Sequence, residues 1–306
     1  MKYRLGPFDH PPDTLTLNPA EYTELVAAKA GIITMVGIEE KFDLLIENYV
    51  DYERELLELA LRQSLHRDLT WQTFNLDRLA VTRRTANLLS ASRSYVDQLK
   101  HDLNEALGST HDVARAACRL LSERYESSLS HRAMEALRNL AQHRSLPVHA
   151  LGYPSTRVEG EGRSTVRFKA EPRVSVAKLR EETLKTSVAS ELEALGQPTL
   201  HLTKLVREYV ENLAFVHEEV RKLLAPTVEG WENALRDAHR RCAEQFGGGE
   251  TRAFVLDALD DQGVVTESDH IFMEPVLYRQ AFVRKNRTFV GLAKRFVSGA
   301  NEEEGD

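Results

Sequence analysis

Apolar residues recur at spacings of three and four along most of the chain, the period of an amphipathic helix. Over residues 21–66, Ile38, Phe42, Leu45, Tyr49, Tyr52, Leu56, Leu59 and Gln63 keep this rhythm, which predicts one or two long helices. Gly31 and Gly37 mark the candidate break, since glycine weakens a helix interior. A second helix is expected over 71–100, with Val81, Leu88, Tyr95 and Leu99 on one stripe, and a third over 112–127. Ser130 reads as the N-cap of a fourth helix running to about His143. Pro147 stops it, because proline lacks a donor and disfavours helical geometry in the residue before it.

The rhythm changes between 146 and 177. Thr156-Arg-Val-Glu and Thr165-Val-Arg-Phe-Lys flank Gly160-Glu161-Gly162, which predicts a β-hairpin around 156–170 with a glycine-assisted turn. A helix is expected over 177–195, then Gly196-Gln-Pro198 interrupts. The next helix, over 199–224, turns Leu202, Leu205, Val206, Tyr209, Leu213, Val216, Val220 and Leu224 inward, and another spans 228–245. Gly247-Gly248-Gly249 reads as a flexible joint. Beyond it, 252–273 is of mixed pattern, 274–298 is helical, and 301–306 is an acidic, frayed tail. The pattern thus predicts an all-α bundle of long helices with a small inserted β-hairpin. One domain would span 1–246, with the insert at 150–176, and a C-terminal extension would span 250–306.

With 306 residues, 42% hydrophobic and 28% charged, the chain has the make-up of a globular protein with a sizeable core. Cys118 and Cys242 stand far apart, and neither has a Cys or His at zinc-ligand spacing. Two lone thiols and an N-terminal stretch without the apolar run of a signal peptide make a reducing cytoplasm the expected setting. No apolar stretch is long enough for a bilayer span, so no membrane partner is expected. A net charge of −7 argues against unspecific nucleic-acid binding by the whole surface. The charge is uneven, however. Residues 130–173 hold eight basic side chains against four acidic ones, which leaves the rest of the chain at −11. Such a bias is either a solvated face or an anion-binding region.

Within that basic segment lies Leu137-Arg138-Asn139-Leu140-Ala141-Gln142-His143. Arg138 offers a planar charged fork that suits phosphate, and His143 titrates near neutral pH and exchanges protons with hydroxyls. Asn139 and His143, four apart on a helix, are neighbours on one face, whereas Arg138 lies about 100° round the axis. The set suits RNA cleavage by the internal 2′-hydroxyl, a reaction that needs a base, an acid and charge stabilisation but no metal or cofactor. The opposing reading is that the spacing is fortuitous and both side chains make structural hydrogen bonds. Arg144 and His149 repeat the spacing across Pro147.

Arg138-Asn139-(three residues)-His143, near the end of a helix in an all-α chain, resembles the signature of the HEPN superfamily: an Arg, usually followed by Asn, Asp or His, and then a His a few residues on. The string from Leu137 to His149 is also similar to a segment of uncharacterised bacterial HEPN-like proteins. The resemblance covers residues 30–225, but its specific part is this short string. It implies a metal-independent endoribonuclease in a toxin or phage-defence role. Arg138 and His143 would be catalytic and Asn139 would support them. It also implies a homodimer whose two motifs form one composite site, and a possible antitoxin or regulatory partner. Some members of the family are inactive binding modules or nucleotide sensors, so a helical interaction protein stands as the alternative.

Other candidates are weaker. Arg144, His149, Arg84 and Asn87 are possible contacts to RNA phosphates, although Arg83 and Arg84 also suit pairing with acids. Asn87, Ser90, Ser94 and Asp97 form a polar stripe that either lines a groove or faces solvent. Trp71 and Trp231 read as core anchors, and His201 and His217 as structural. Asp51, Glu53, Glu55 and Glu58 resemble a carboxylate metal motif but lack Glu-x-x-His. The triple glycine lacks the Lys-Ser/Thr of a phosphate loop.

Overall fold

The computed structural model describes residues 1–7, 14–66, 70–108, 112–159, 164–180, 186–247, 253–287, 289–295 and 297. Helices dominate: α1 (Pro19–Leu65), α2 (Trp71–Leu107), α3 (Asp112–Ser127), α4 (Leu129–His143), α5 (Val176–Arg180), α6 (Thr186–Ala194), α7 (Leu202–Phe246) and α8 (Glu274–Lys285). The expected hairpin is present as β4 (Ser155–Glu159) and β5 (Ser164–Phe168), paired antiparallel. Its turn at Gly160-Glu161-Gly162 lies outside the described residues, as do Gly248-Gly249 and the acidic tail.

The all-α expectation is corrected by seven further strands. β1 (Lys2–Pro7), β2 (Leu15–Leu17), β8 (Phe254–Leu259) and β9 (Val265–Ile271) form an antiparallel sheet in the order β2-β1-β8-β9. β3 (Ala150–Gly152), β6 (Glu171–Ser175) and β7 (Thr199–His201) form another in that order. Several of these strands carry no alternating signature because they are only three residues long (β2, β3, β7) or buried nearly throughout (β8). The β8 sequence FVLDAL, for instance, shows no clean alternation of apolar and polar residues.

The fold divides into two compact units. The first comprises Met1–Leu44, Arg93–Arg119 and His217–Arg287, and the second Leu45–Ser92, Leu120–Val216 and Thr288–Asp306. In the first unit, Leu5, Leu17, Phe254, Leu256 and Ile271 of the sheet are buried. Arg4 and Asp257, opposite each other in register, close an ion pair at 2.8 Å. The same unit buries a polar cluster. His217 lies flat on Phe42 at 3.8 Å between ring centroids, hydrogen-bonded to the Tyr95 hydroxyl at 3.0 Å and to Glu39 at 3.2 Å. Arg221 Nε donates to the other Glu39 oxygen at 2.9 Å. Burial raises the Glu39 pKa, but the hydrogen bonds from His217 and Arg221 outweigh it and bring the group down to about 2.

Two expected helix boundaries are absent. α1 passes Gly31 and Gly37 without a break. At Gly31 the reason is packing, since a Cβ there would lie 2.6 Å from Cε3 of Trp231. α7 continues through Pro226, joining the two helices expected on either side. Leu224 and Val228 are both buried and extend one apolar stripe from Val220 to Leu235 and Ala238, so packing outweighs the lost hydrogen bond. Gly247 ends α7 in the left-handed conformation at φ 71°, its N–H bonded to Ala243 O at 2.9 Å. α8 stops at Lys285, short of 298. There the Asn286 amide donates to Asp43 at 2.8 Å and the Asn286 carbonyl accepts from Arg221 at 2.8 Å. Among the described residues, no helix is long and apolar enough to cross a membrane.

Candidate functional site

The second unit contains the motif. α4 is capped by Ser128, not Ser130. Ser128 is extended (φ −125°, ψ 114°), and its hydroxyl accepts from His131 N at 3.2 Å and from Asn212 Nδ2 at 3.1 Å. Ser130, already inside the first turn, donates to Glu208. Arg132, one of the buried basic residues, binds the carbonyls of Tyr125 and Glu126 at the end of α3 and pairs with Glu191. Ala133, Met134, Ala136, Leu137 and Leu140 are fully or almost fully buried, which fixes the rotation of the helix. Glu135, Arg138, Asn139, Gln142 and His143 are left on its less buried side.

Arg138 is held by its own helix. One terminal nitrogen donates to Asn139 Oδ1 at 2.7 Å, the other to Gln142 Oε1 at 3.2 Å, and Nε faces Glu135 Oε2 at 3.4 Å. That last contact is an ion pair without hydrogen-bond geometry, so Nε is satisfied electrostatically only. The side chain is 18% exposed. Glu135 is held in turn by the hydroxyl of buried Tyr209 at 2.8 Å. Burial, followed by the Glu135 charge, raises the Tyr209 pKa far above its ordinary value, so the hydroxyl stays a donor. Asn139 therefore orients Arg138, and no hydrogen bond joins it to His143, its expected partner, among the described residues. His143 is exposed at the last turn, where Arg144 N and Ser145 N both close onto Leu140 O. The structure brings Arg138 and Asn139 together. Among the described residues it records no contact between either of them and His143.

One turn before Glu135 on the same side of α4 lies His131, buried, which the spacing of the motif did not single out. Its ring packs edge-on against Tyr209 at 4.9 Å and Tyr125 at 5.9 Å. Burial, helped by the charge of Arg132, pushes its pKa down to about 4. Its Nδ1 is buried without a hydrogen-bond partner among the described residues. The cue available in the sequence was its position four residues before Glu135, on the same side of the helix.

The remaining candidates scatter. Arg84 pairs with Glu55 at 3.1 Å and Asp51 at 3.3 Å, so it follows the ion-pair reading, and it employs two of the carboxylates of the metal-like cluster. Glu53 of that cluster binds Arg207 at 2.6 Å. Asn87 and Ser90 are exposed, as a solvent face requires, and Arg144 is exposed too. His201 is half exposed, 3.7 Å from Glu171. His149 is half-buried, and its Nδ1 accepts from Ser175 N at 3.2 Å.

Trp71 corrects an expectation. It is 83% exposed, not a core anchor, because it occupies the first turn of α2, before the buried stripe begins at Val81. Trp231 is partly buried and sits over Gly31. Trp71, Phe74, Asn75 and Arg78, one face of α2, line a hollow of about 510 Å³ together with Ser145, Leu146, Val148, His149 and Ala150, which follow α4. Arg78 ties the two walls by donating to Val148 O at 2.9 Å. No family model matches the chain, and no curated protein or solved structure matches it significantly.

Proposed function

We propose that the protein is a metal-independent endoribonuclease of the HEPN type, acting as a dimer in a toxin or defence role. The observation that carries this reading is the end of α4. Arg138 is held in place by Asn139 and by the Tyr209–Glu135 pair, while His143 stands exposed a turn further on. Two of the partners of Arg138 are neutral amide oxygens, which a phosphate displaces at little electrostatic cost, because a charge-assisted bond replaces a neutral acceptor. The single carboxylate, Glu135, is shared with Tyr209 and so is a weakened competitor.

In the proposed reaction the 2′-hydroxyl loses its proton to one His143 and O2′ bonds to phosphorus. The bond from phosphorus to O5′ breaks, and O5′ takes a proton from a second His143. Arg138 neutralises the charge that develops on the phosphoryl oxygens. α4 carries a single exposed histidine, because His131 is buried, so a second copy completes the acid–base pair. The products are a 2′,3′-cyclic phosphate and a 5′-hydroxyl. The basic 130–173 segment, with Arg157, Arg167 and Lys169 exposed on or beside the hairpin, supports attraction to the RNA backbone.

Purified protein incubated with single-stranded RNA in the presence of a chelator is expected to yield cyclic-phosphate ends. His143→Ala and Arg138→Ala are each expected to lower the rate at least a hundredfold. RNA left intact by the wild type under varied conditions, together with identical behaviour of wild type and His143→Ala in cells, would end this reading.

A second reading is a non-catalytic helical interaction protein. It is favoured by Leu57, Leu61 and Leu65, which stand exposed at spacings of four along α1. Wild-type cellular behaviour that persists in both variants is the outcome that selects it.

A further inference from the structure

We propose that the hollow between the first two turns of α2 and the segment after α4 is a base-binding pocket, in which an unpaired RNA base stacks on Trp71. The inference rests on the ribonuclease reading and names the subsite that holds the substrate beside the motif.

Four observations on the molecule lead there. Trp71 exposes a large flat ring at the rim, and Phe74, one turn on, supplies a second, half-buried aromatic surface. Flat aromatic faces at an open rim suit bases, because every base has a π-face to stack. Next, the polar groups suit a nucleotide. The Asn75 amide nitrogen is fixed by donation to Trp71 O at 2.8 Å, which orients its carbonyl oxygen as an acceptor. Arg78 uses one terminal nitrogen on Val148 O and retains further N–H donors for a base edge or a phosphate.

The size and shape also fit. About 510 Å³ is within the range of ligand sites, and the hollow opens to solvent, as a subsite crossed by a continuous strand must. Finally, Ser145 in the pocket wall is two residues beyond His143, and its N–H closes the same turn of α4. A strand whose phosphate reaches the end of α4 therefore has a neighbouring base at this wall. A duplex keeps its bases stacked and presents none.

The test uses the full chain carrying His143→Ala, so that RNA stays intact, and a fluorescent 12-nucleotide single-stranded RNA as probe. Trp71→Ala in that background is expected to weaken binding roughly five- to a hundredfold, the range for loss of one stacked base. Trp71→Phe is expected to restore most of it. The RNA should quench the tryptophan emission of the parent and not that of Trp71→Ala, in which Trp231 is the remaining indole. A duplex of the same sequence should do neither. Because Trp71 is exposed, the substitution leaves the unfolding midpoint unchanged, and circular dichroism checks this. Equal binding by the parent and Trp71→Ala, equal binding of duplex and single strand, or no binding to the parent overturns the proposal. The two readings fail separately. Trp71-dependent binding without cleavage by the wild type sinks the nuclease and spares the pocket. Cleavage by the wild type with binding indifferent to Trp71 does the reverse.

Discussion

Gly31 and Gly37 lie six residues apart on α1, yet they do opposite work. Gly31 accepts the face of Trp231 where a Cβ would stand 2.6 Å from ring carbon, whereas nothing lies within 4 Å of the Cβ position at Gly37. Gly31→Ala is expected to destabilise the protein by about 1 kcal/mol or more, because overpacking of roughly 1–3 kcal/mol exceeds the helix-propensity gain. Gly37→Ala is expected to stabilise it by about 0.5–1 kcal/mol, since only the propensity term remains. Thermal unfolding of the two variants separates them, and midpoints that shift in the same direction would refute the packing argument. Neither assignment is visible in the sequence, where both glycines look like helix breakers. What distinguishes them is a ring two hundred residues further along the chain. Trp71 was misjudged for the same kind of reason. An aromatic residue reads as core until its place in the helix is known, and the first turn of α2 precedes the buried stripe.

At the scale of elements, the long helices were legible because each keeps one apolar stripe for many turns. Leu202 to Leu224 alone gives eight matching positions, all buried. The pattern predicts separate helices over 199–224 and 228–245, but the apolar stripe continues across the gap and through Pro226. Pro226 is exposed and replaces no core contact. Pro226→Ala is therefore expected to raise the unfolding midpoint, with a gain of about 1–2 kcal/mol. Restoring an interior hydrogen bond is worth up to ~3 kcal/mol, and the loosened unfolded chain returns about 1. A fall in the midpoint would mean that the helix is bent there to purpose. In α4 the spacing that permits the local ties of Arg138 lies in the sequence, although helical spacing alone pairs Asn139 with His143 instead. Glu135 and Arg138 are three apart, and Arg138, Asn139 and Gln142 sit within one turn. The ties that place the helix leave no such trace, because Arg132 reaches α3 carbonyls and Glu191, while Glu135 reaches Tyr209. Such partners come from the tertiary fold, and no spacing rule reports them.

For the whole molecule, the buried ionisable groups predict how stability follows pH. His131 has a folded-state pKa of about 4, below its ordinary 6.5. Unfolded chains therefore bind a proton there before folded ones do. Its contribution is complete above pH 6.5 and is lost as the pH falls from 6.5 toward 4, an effect of about 3 kcal/mol if fully expressed. His217, also lowered chiefly by burial, acts in the same direction, and Glu39, held down to about 2, adds a further loss below 4.5. Unfolding midpoints are expected to fall steadily between pH 6.5 and 4. His131→Phe, which keeps the ring contacts and removes the proton site and the unsatisfied Nδ1, should flatten that slope. An unchanged slope would assign the acid sensitivity elsewhere.

The sheet that joins β1 to β8 sets an order of events during synthesis. Residues 2–7 leave the ribosome well before their hydrogen-bonding partners, residues 254–259. At roughly 5–20 residues per second, the edge of β1 waits on the order of ten seconds or more for its mate. During that interval the nascent chain carries helices able to pack and a strand edge with nothing to pair against, so the closing of this sheet is a late, long-range step.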